Sequence, residues 1–170
     1  MTQFTRRAVL VLGSAAVLSA CASTVKVAPA PVVSRSERPE DLTRDQIVAA
    51  INATRRAHGA APWSYSPALE NAARSQAQLM ASKDTMSHNL GTTLRERVTA
   101  AGYQTAVGEN VAKGYKTLPA TIDGWLASTG HRNTLLSSKF QEFGLAVARS
   151  GSGKLYWALI AGGPFEAWYG

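Results

Sequence analysis

From residue 43 to residue 101, apolar side chains recur every three or four positions, the spacing of helices that bury one face. Ile47, Ala50 and Ile51 begin the first stripe, and Thr54 and Ala57 continue it. Thr43 and Gln46 form a capping box at its start, and His58-Gly59 ends it. Ser66-Pro67 opens a second helix, serine as cap and proline in the first turn. Its stripe is Leu69, Ala72, Ala73, Ala77 and Met80. Thr93 and Glu96 make a second capping box ahead of Leu94, Val98 and Ala101, with Gly102 as the stop. Residues 106–112 read as extended. Thr117-Leu118-Pro119 opens a fourth helix that points Ile122, Trp125 and Leu126 inward. Residues 143–148 and 155–161 are apolar runs of strand length, joined by a Ser150-Gly151-Ser152-Gly153 hairpin loop. Helices followed by a small antiparallel sheet make an α+β chain, and helices on both faces of that sheet give a three-layer α-β-α sandwich.

The ends of the chain follow other rules. Arg6-Arg7 precedes an apolar run over 8–20, and Cys21 follows it. That run is shorter than the roughly 20 residues a spanning helix needs. It has the layout of a secretory signal over 1–20. Leu18-Ser19-Ala20-Cys21 resembles a bacterial lipobox, which implies cleavage before Cys21, lipidation there and a membrane partner through that anchor. Thr5 to Leu10 resembles a twin-arginine signal, so export runs by the general secretory or the twin-arginine route. Ala22 is not aspartate, which in lipoproteins of Gram-negative bacteria implies the outer membrane, facing the periplasm. Residues 21–41 read as the lipidated cysteine and a Pro/Ala-rich tether, 42–163 as one monomeric domain and 164–170 as a tail. Phe165, Trp168 and Tyr169 of the tail are expected to dock on the body.

A single cysteine excludes an intramolecular disulfide, so an ordinary apolar core must hold the fold. The net charge is +7, of which Arg6 and Arg7 lie in the leader, leaving about +5 for the processed chain. The basic residues are scattered and form no run. This suits anionic headgroups or cell-wall polymers and excludes nucleic acid as a partner.

Three short stretches carry candidate chemistry: Met86 to Asn89, Val107 to Val111 and Gly130 to Asn133. Glu109 stands among Val107, Val111 and Ala112, where burial is expensive without a partner. Either it faces water at a strand edge, or a cation or donor awaits it. His88 and His131 are either hydrogen-bonded loop residues or two neutral imidazoles for a divalent metal. Their spacing does not establish contact. His58, beside Arg55 and Arg56, reads as a solvated surface residue.

Met86-Ser87-His88-Asn89, Gly108-Glu109-Asn110-Val111-Ala112, Gly124-Trp125 with Ser128 and Gly130-His131-Arg132-Asn133, Phe143 to Ala148 and Tyr156-Trp157, in that order, resemble the CAP superfamily. This is the family of cysteine-rich secretory proteins, venom antigens and plant pathogenesis-related proteins, here in its bacterial SCP-like branch. Asn52, Arg56, Gly59 and the Leu69 to Met80 stripe match its opening helices, so the resemblance covers about residues 45–162. It implies an α-β-α sandwich with a central cleft, two histidines and acidic residues at that cleft, and in some members a divalent metal, commonly zinc. His88, Glu109 and His131 occupy the matching positions. Ser128 stands where animal and plant members carry a second glutamate, which removes one carboxylate. The resemblance implies supporting roles for the other motif residues. Gly130 would let the chain turn, Trp125 would pack beneath His131, and Asn110, Arg132 and Asn133 would brace the loops. The implied function is a cleft that binds a divalent metal, a lipid or a cell-envelope ligand, without assigned catalysis. The alternative is a metal-assisted peptidase or cell-wall hydrolase using His88, His131 and Glu109, with Glu109 as the catalytic base. A serine nucleophile at Ser128 lacks the Gly-x-Ser-x-Gly elbow.

Overall fold

A computed structural model describes residues 38–169. Its helices are α1 (Arg44–Ala57), α2 (Pro67–Ser82), α3 (Leu94–Ala100), α4 (Leu118–Ala127) and α5 (Thr129–Leu136), and its strands are β1 (Ser64–Tyr65), β2 (Ala106–Lys113), β3 (Glu142–Arg149) and β4 (Leu155–Gly163). The strands form one sheet in the order β1-β3-β4-β2. β4 is antiparallel to both neighbours, and its central position buries every residue along it.

Alternation along β4 builds the layers. Leu155, Trp157, Leu159 and Ala161 point to one face, where they meet Ile47 and Ile51 of α1, Leu118, Ile122 and Trp125 of α4, and Leu135 of α5. Tyr156, Ala158 and Ile160 point to the other, against Leu69, Ala73, Ala77 and Met80 of α2 and Val98 of α3. The architecture is an α-β-α sandwich. Full burial of a side chain such as Leu159 contributes roughly 1.5–3 kcal/mol relative to exposure. α2 lies so close to β3 that a Cβ on Gly144 would come within 2.5 Å of Glu70 Cα, and closer still to Leu69 C and Glu70 N.

Both capping boxes form as expected, Thr43 with Gln46 and Thr93 with Glu96. Gly102, with φ at +83°, closes the end of α3 in the left-handed region. Several expectations need correction. The buried stripe of α1 runs through Ile47, Ile51, Asn52 and Arg55, while Ala57 is exposed. Arg55 displaces the expected Thr54 because its guanidinium finds three carbonyls to satisfy it. β1, too short to show a period, adds a parallel pair to the antiparallel sheet. Residues 39–41, assigned to the tether, form a 3-10 turn fixed to β3 by Glu40 and Arg149. The tail forms a second 3-10 turn, in which Phe165 lies 5.9 Å from the Arg95 guanidinium, but Tyr169 is 86% exposed and does not dock. The expectation for the Trp168 side chain, the signal, Cys21 and the tether to residue 37 lie outside the described residues. Among the described residues no helix is long and apolar enough to cross a membrane.

Candidate functional site

The site forms at the free edge of β2. Glu109 and Asn110 are neighbours on that strand, so their side chains leave by opposite faces. Glu109 points toward α3, where its Oε1 accepts from Arg97 Nη2 at 2.7 Å and its Oε2 meets His88 Nδ1 at 2.8 Å. The Arg97 and Glu109 side chains are 1% and 2% exposed, whereas the His88 side chain is 58% exposed. A buried cation thus holds a buried carboxylate, and that carboxylate holds a half-open imidazole. A carboxylate only accepts, so Nδ1 of His88 carries the proton and its Nε2 presents a lone pair outward once the ring is neutral.

The backbone around His88 is pinned from the same side. Gln76 Nε2 donates to Ser87 O. Both Arg97 Nη groups reach His88 O at 3.3 Å, and Nη1 also reaches Thr92 O at 2.6 Å. The hydrogen bond to Glu109 raises His88 above the usual histidine value, against the opposing effect of burial. Burial lowers His131, and the proximity of His88 adds to this.

Asn110 works on the other face. It is fully buried, and its Nδ2 donates to His131 O at 2.8 Å. This bond ties β2 to α5, the helix that carries His131. Arg55 holds the far end of α5 through Leu135 O at 2.5 Å and Ser137 O at 3.1 Å. Trp125 Nε1 donates to Val111 O at 3.2 Å and covers that carbonyl. The outcome is that two histidines from opposite layers meet around one strand edge, ring centroids 6.5 Å apart and tilted by 43°. Beside them lies a cavity of about 280 Å³ lined by Met86, Val111, Ala112, Lys113, Tyr115, Gly124, Trp125, Ser128 and His131. Its floor is apolar, and two of its walls, Met86 and Tyr115, are large exposed apolar side chains.

The structure brings His88, Glu109, Asn110 and His131 together, and it places Trp125 and Ser128 with His131 around the cavity. It corrects the loop picture of 130–133. Ser128 ends α4 and begins α5 without a gap, so Gly130 sits inside a helix and makes no turn. Arg132 and Asn133 are exposed, and their side chains make no hydrogen bonds among the described residues, so they brace nothing there. Sequence reasoning missed Arg97, Gln76 and Arg55. Each stands on the apolar stripe of its helix, which is the signal that could have found them.

His88 Nε2 and His131 offer two imidazoles near one another, one fewer than the three protein ligands of an ordinary open zinc site. Among the described residues no group of three or more His, Cys, Asp or Glu side chains is disposed to hold a metal ion. Both Glu109 oxygens already have donors, which suits it to orienting His88.

Comparison with known proteins bears on the family and the fold. The model of the cysteine-rich secretory protein family, CAP, matches residues 48–160. YkwD of Bacillus subtilis is 31% identical over 134 residues, 76% of this chain but 49% of YkwD, so the chain spans about half the length of that relative. An SCP-domain extracellular protein of Bacillus anthracis superposes with a TM-score of 0.64 at 24% identity, covering 70% of this chain and 39% of that one. An outer surface protein of Borrelia burgdorferi gives 0.63 at 20% identity, covering 71% and 91%. A cysteine-rich secretory protein of Staphylococcus aureus gives 0.56 at 25% identity, covering 74% and 41%. With the matched segment spanning both histidines, Glu109 and all but the rim of the sheet, the chain belongs to the cysteine-rich secretory protein (CAP) family.

Proposed function

We propose that this is an exported, lipid-anchored CAP protein whose cleft is a binding module. His88 and His131 take a divalent cation, with zinc best suited to two imidazoles, and the Trp125 floor accommodates the apolar part of a lipid or cell-envelope ligand. The observation that carries this reading is the Arg97–Glu109–His88 chain, which engages Nδ1 of His88 and leaves its Nε2 free on a ring 6.5 Å from that of His131. A bound divalent ion would supply a Lewis-acidic centre for an anionic or carbonyl ligand atom. The protein's own part is to hold His88 in one tautomer and to keep His131 neutral.

Binding is favoured over hydrolysis. A metal-assisted hydrolase needs a free base, and Glu109 has both oxygens engaged by Arg97 and His88. Ser128 makes no hydrogen bond to His131 among the described residues, which leaves a serine nucleophile without its base. Export and anchoring rest on the 1–21 sequence. Export agrees with the descriptions of the Borrelia burgdorferi protein as an outer surface protein and the Bacillus anthracis protein as extracellular. The test is a calorimetric zinc titration of residues 22–170 beside the His88→Ala, His131→Ala double variant. One-to-one binding that the variant loses supports the reading, and a wild type that binds no zinc overturns its metal half.

A further inference from the structure

At one end of the sheet, where β2 and β3 finish and β4 begins, lies a cavity of about 510 Å³. Lys116, Arg149 and Lys154 line it, with Pro39, Ser152 and Gly153 among the rest, and no Asp or Glu does. The register explains the convergence: Arg149 pairs with Leu155, so the end of β3, the start of β4 with Lys154, and Lys116 of the connection after β2 share one rim. Two carboxylates from outside the cavity steady it. Glu40 takes Arg149 at 2.5 and 3.0 Å, and Asp84 takes Lys154 at 3.0 Å. Lys116 and Lys113 are exposed and make no ion pair among the described residues. Against Glu40 and Asp84 stand Lys116, Arg149 and Lys154, so the rim of this cavity keeps an excess of positive charge, with Lys116 unpaired among the described residues.

The chain also enters the domain here. Pro39 lines the cavity and Glu40 is bonded to Arg149, so the residues that lead back to Cys21 depart from the rim of the basic cavity. We propose that this end docks on an anionic phospholipid surface, with Lys116, Lys154 and Arg149 meeting headgroup phosphates. On the reading that Cys21 bears the anchor, the sixteen residues 22–37 limit the distance from that surface to roughly 50–60 Å, at most about 3.3–3.6 Å per residue. Tethering makes a weak headgroup affinity sufficient, because docking becomes intramolecular. Docking also sets the aspect of the cleft. The 113–116 connection divides the two cavities, Lys113 and Tyr115 lining the one beside His131, Gly114 and Lys116 lining the basic one. A domain seated on its basic end therefore brings the 113–116 connection, which both cavities share, to the bilayer surface.

The test uses residues 22–170, which keep both core clusters and carry no acyl chain, sedimented with vesicles of phosphatidylcholine alone or mixed with phosphatidylglycerol. Binding is expected only with phosphatidylglycerol and is expected to fall as salt rises. Lys116→Glu is expected to weaken it about 30-fold, and Lys116→Gln about 5-fold, on the scale of one or two charges near an anionic surface. Arg56→Glu makes the same change of net charge at an exposed position away from the cavity, and its loss is expected to stay within about 2-fold. Circular dichroism confirms that each variant is folded. Equal binding to both vesicles, or an Arg56→Glu loss as large as that of Lys116→Glu, overturns the proposal. Neither outcome touches the cleft reading, which zinc tests separately.

Discussion

Removing one member of the Arg97–Glu109 pair should cost far more than removing both. Each side chain is almost fully buried, at 1% and 2% exposure, and they meet at 2.7 Å. Glu109→Leu leaves a guanidinium in the interior whose remaining acceptors are His88 O and Thr92 O. Breaking a buried pair from one side typically costs about 3–5 kcal/mol, because the desolvated charge loses its compensation. Arg97→Met strands the carboxylate in the same way and also releases the His88 and Thr92 carbonyls, so it belongs at the upper end of that range. For a domain with about 5–15 kcal/mol in total, either change removes a large share of stability. The double variant replaces the pair with apolar groups and should recover about 2–4 kcal/mol of the summed single losses. Urea unfolding of residues 22–170, read by tryptophan fluorescence for wild type, both singles and the double, measures this coupling. Single losses below about 1 kcal/mol that simply add would refute the reasoning, since they would mean the pair is hydrated and not buried.

Three further outcomes follow from the same geometry. Gly144→Ala forces a methyl into the backbone of α2 at Leu69 and Glu70, so it should destabilise by about 3 kcal/mol or more, or prevent soluble expression; a normal urea midpoint would contradict the close packing. Arg55, whose guanidinium lies 3.7 Å over Trp63 and is pushed down to about 10 by burial, donates to three carbonyls. Arg55→Lys keeps a charge but loses the planar fork and should cost about 2–4 kcal/mol by thermal melting, with added exchange at the α5 amides. pH acts on the two histidines with opposite signs. His88 is raised above the ordinary 6.5, so its pairing with Glu109 stabilises the fold fully below that pH and fades as pH rises through its own higher value. His131 is lowered, so it favours folding above 6.5 and disfavours it as pH falls through that range. Zinc, which needs both rings neutral, should weaken first through protonation of His88, at a pH above that of an ordinary histidine.

The fold was legible wherever local chemistry and the tertiary structure ask for the same residue. Thr43 and Thr93 cap their helices through neighbours three residues away, and β4 reads as a continuous apolar run because it is buried on both faces. α5 escaped because TGHRNTLL buries a single side chain, Leu135, and starts at the residue where α4 stops. The site was half legible. A carboxylate amid valines left two readings open, water at a strand edge or a buried donor, and the choice depended on a contact across twelve positions that no local pattern encodes. Arg97 was readable in one respect. Leu94, Arg97, Val98 and Ala101 follow helical spacing, so the arginine stands on the buried stripe, as Gln76 does beside Ala73, Ala77 and Met80. Charged or amide side chains on an apolar stripe are the positions to pair with an isolated buried acid elsewhere in a chain. Arg132 and Asn133 show the converse, since they lie inside a motif yet face solvent.

The proposed binding function depends on Arg97 and Glu109 fixing the His88 ring with Nε2 free beside His131. Nitrogen NMR of the histidine rings in residues 22–170, at a pH above the titration of His88 and with and without zinc, tests it most directly. His88 is expected to carry its proton on Nδ1, zinc to shift Nε2 of His88 together with the ring of His131, and Glu109→Gln to abolish the fixed tautomer. A proton on Nε2 of His88, or zinc shifts confined to His58, would contradict it.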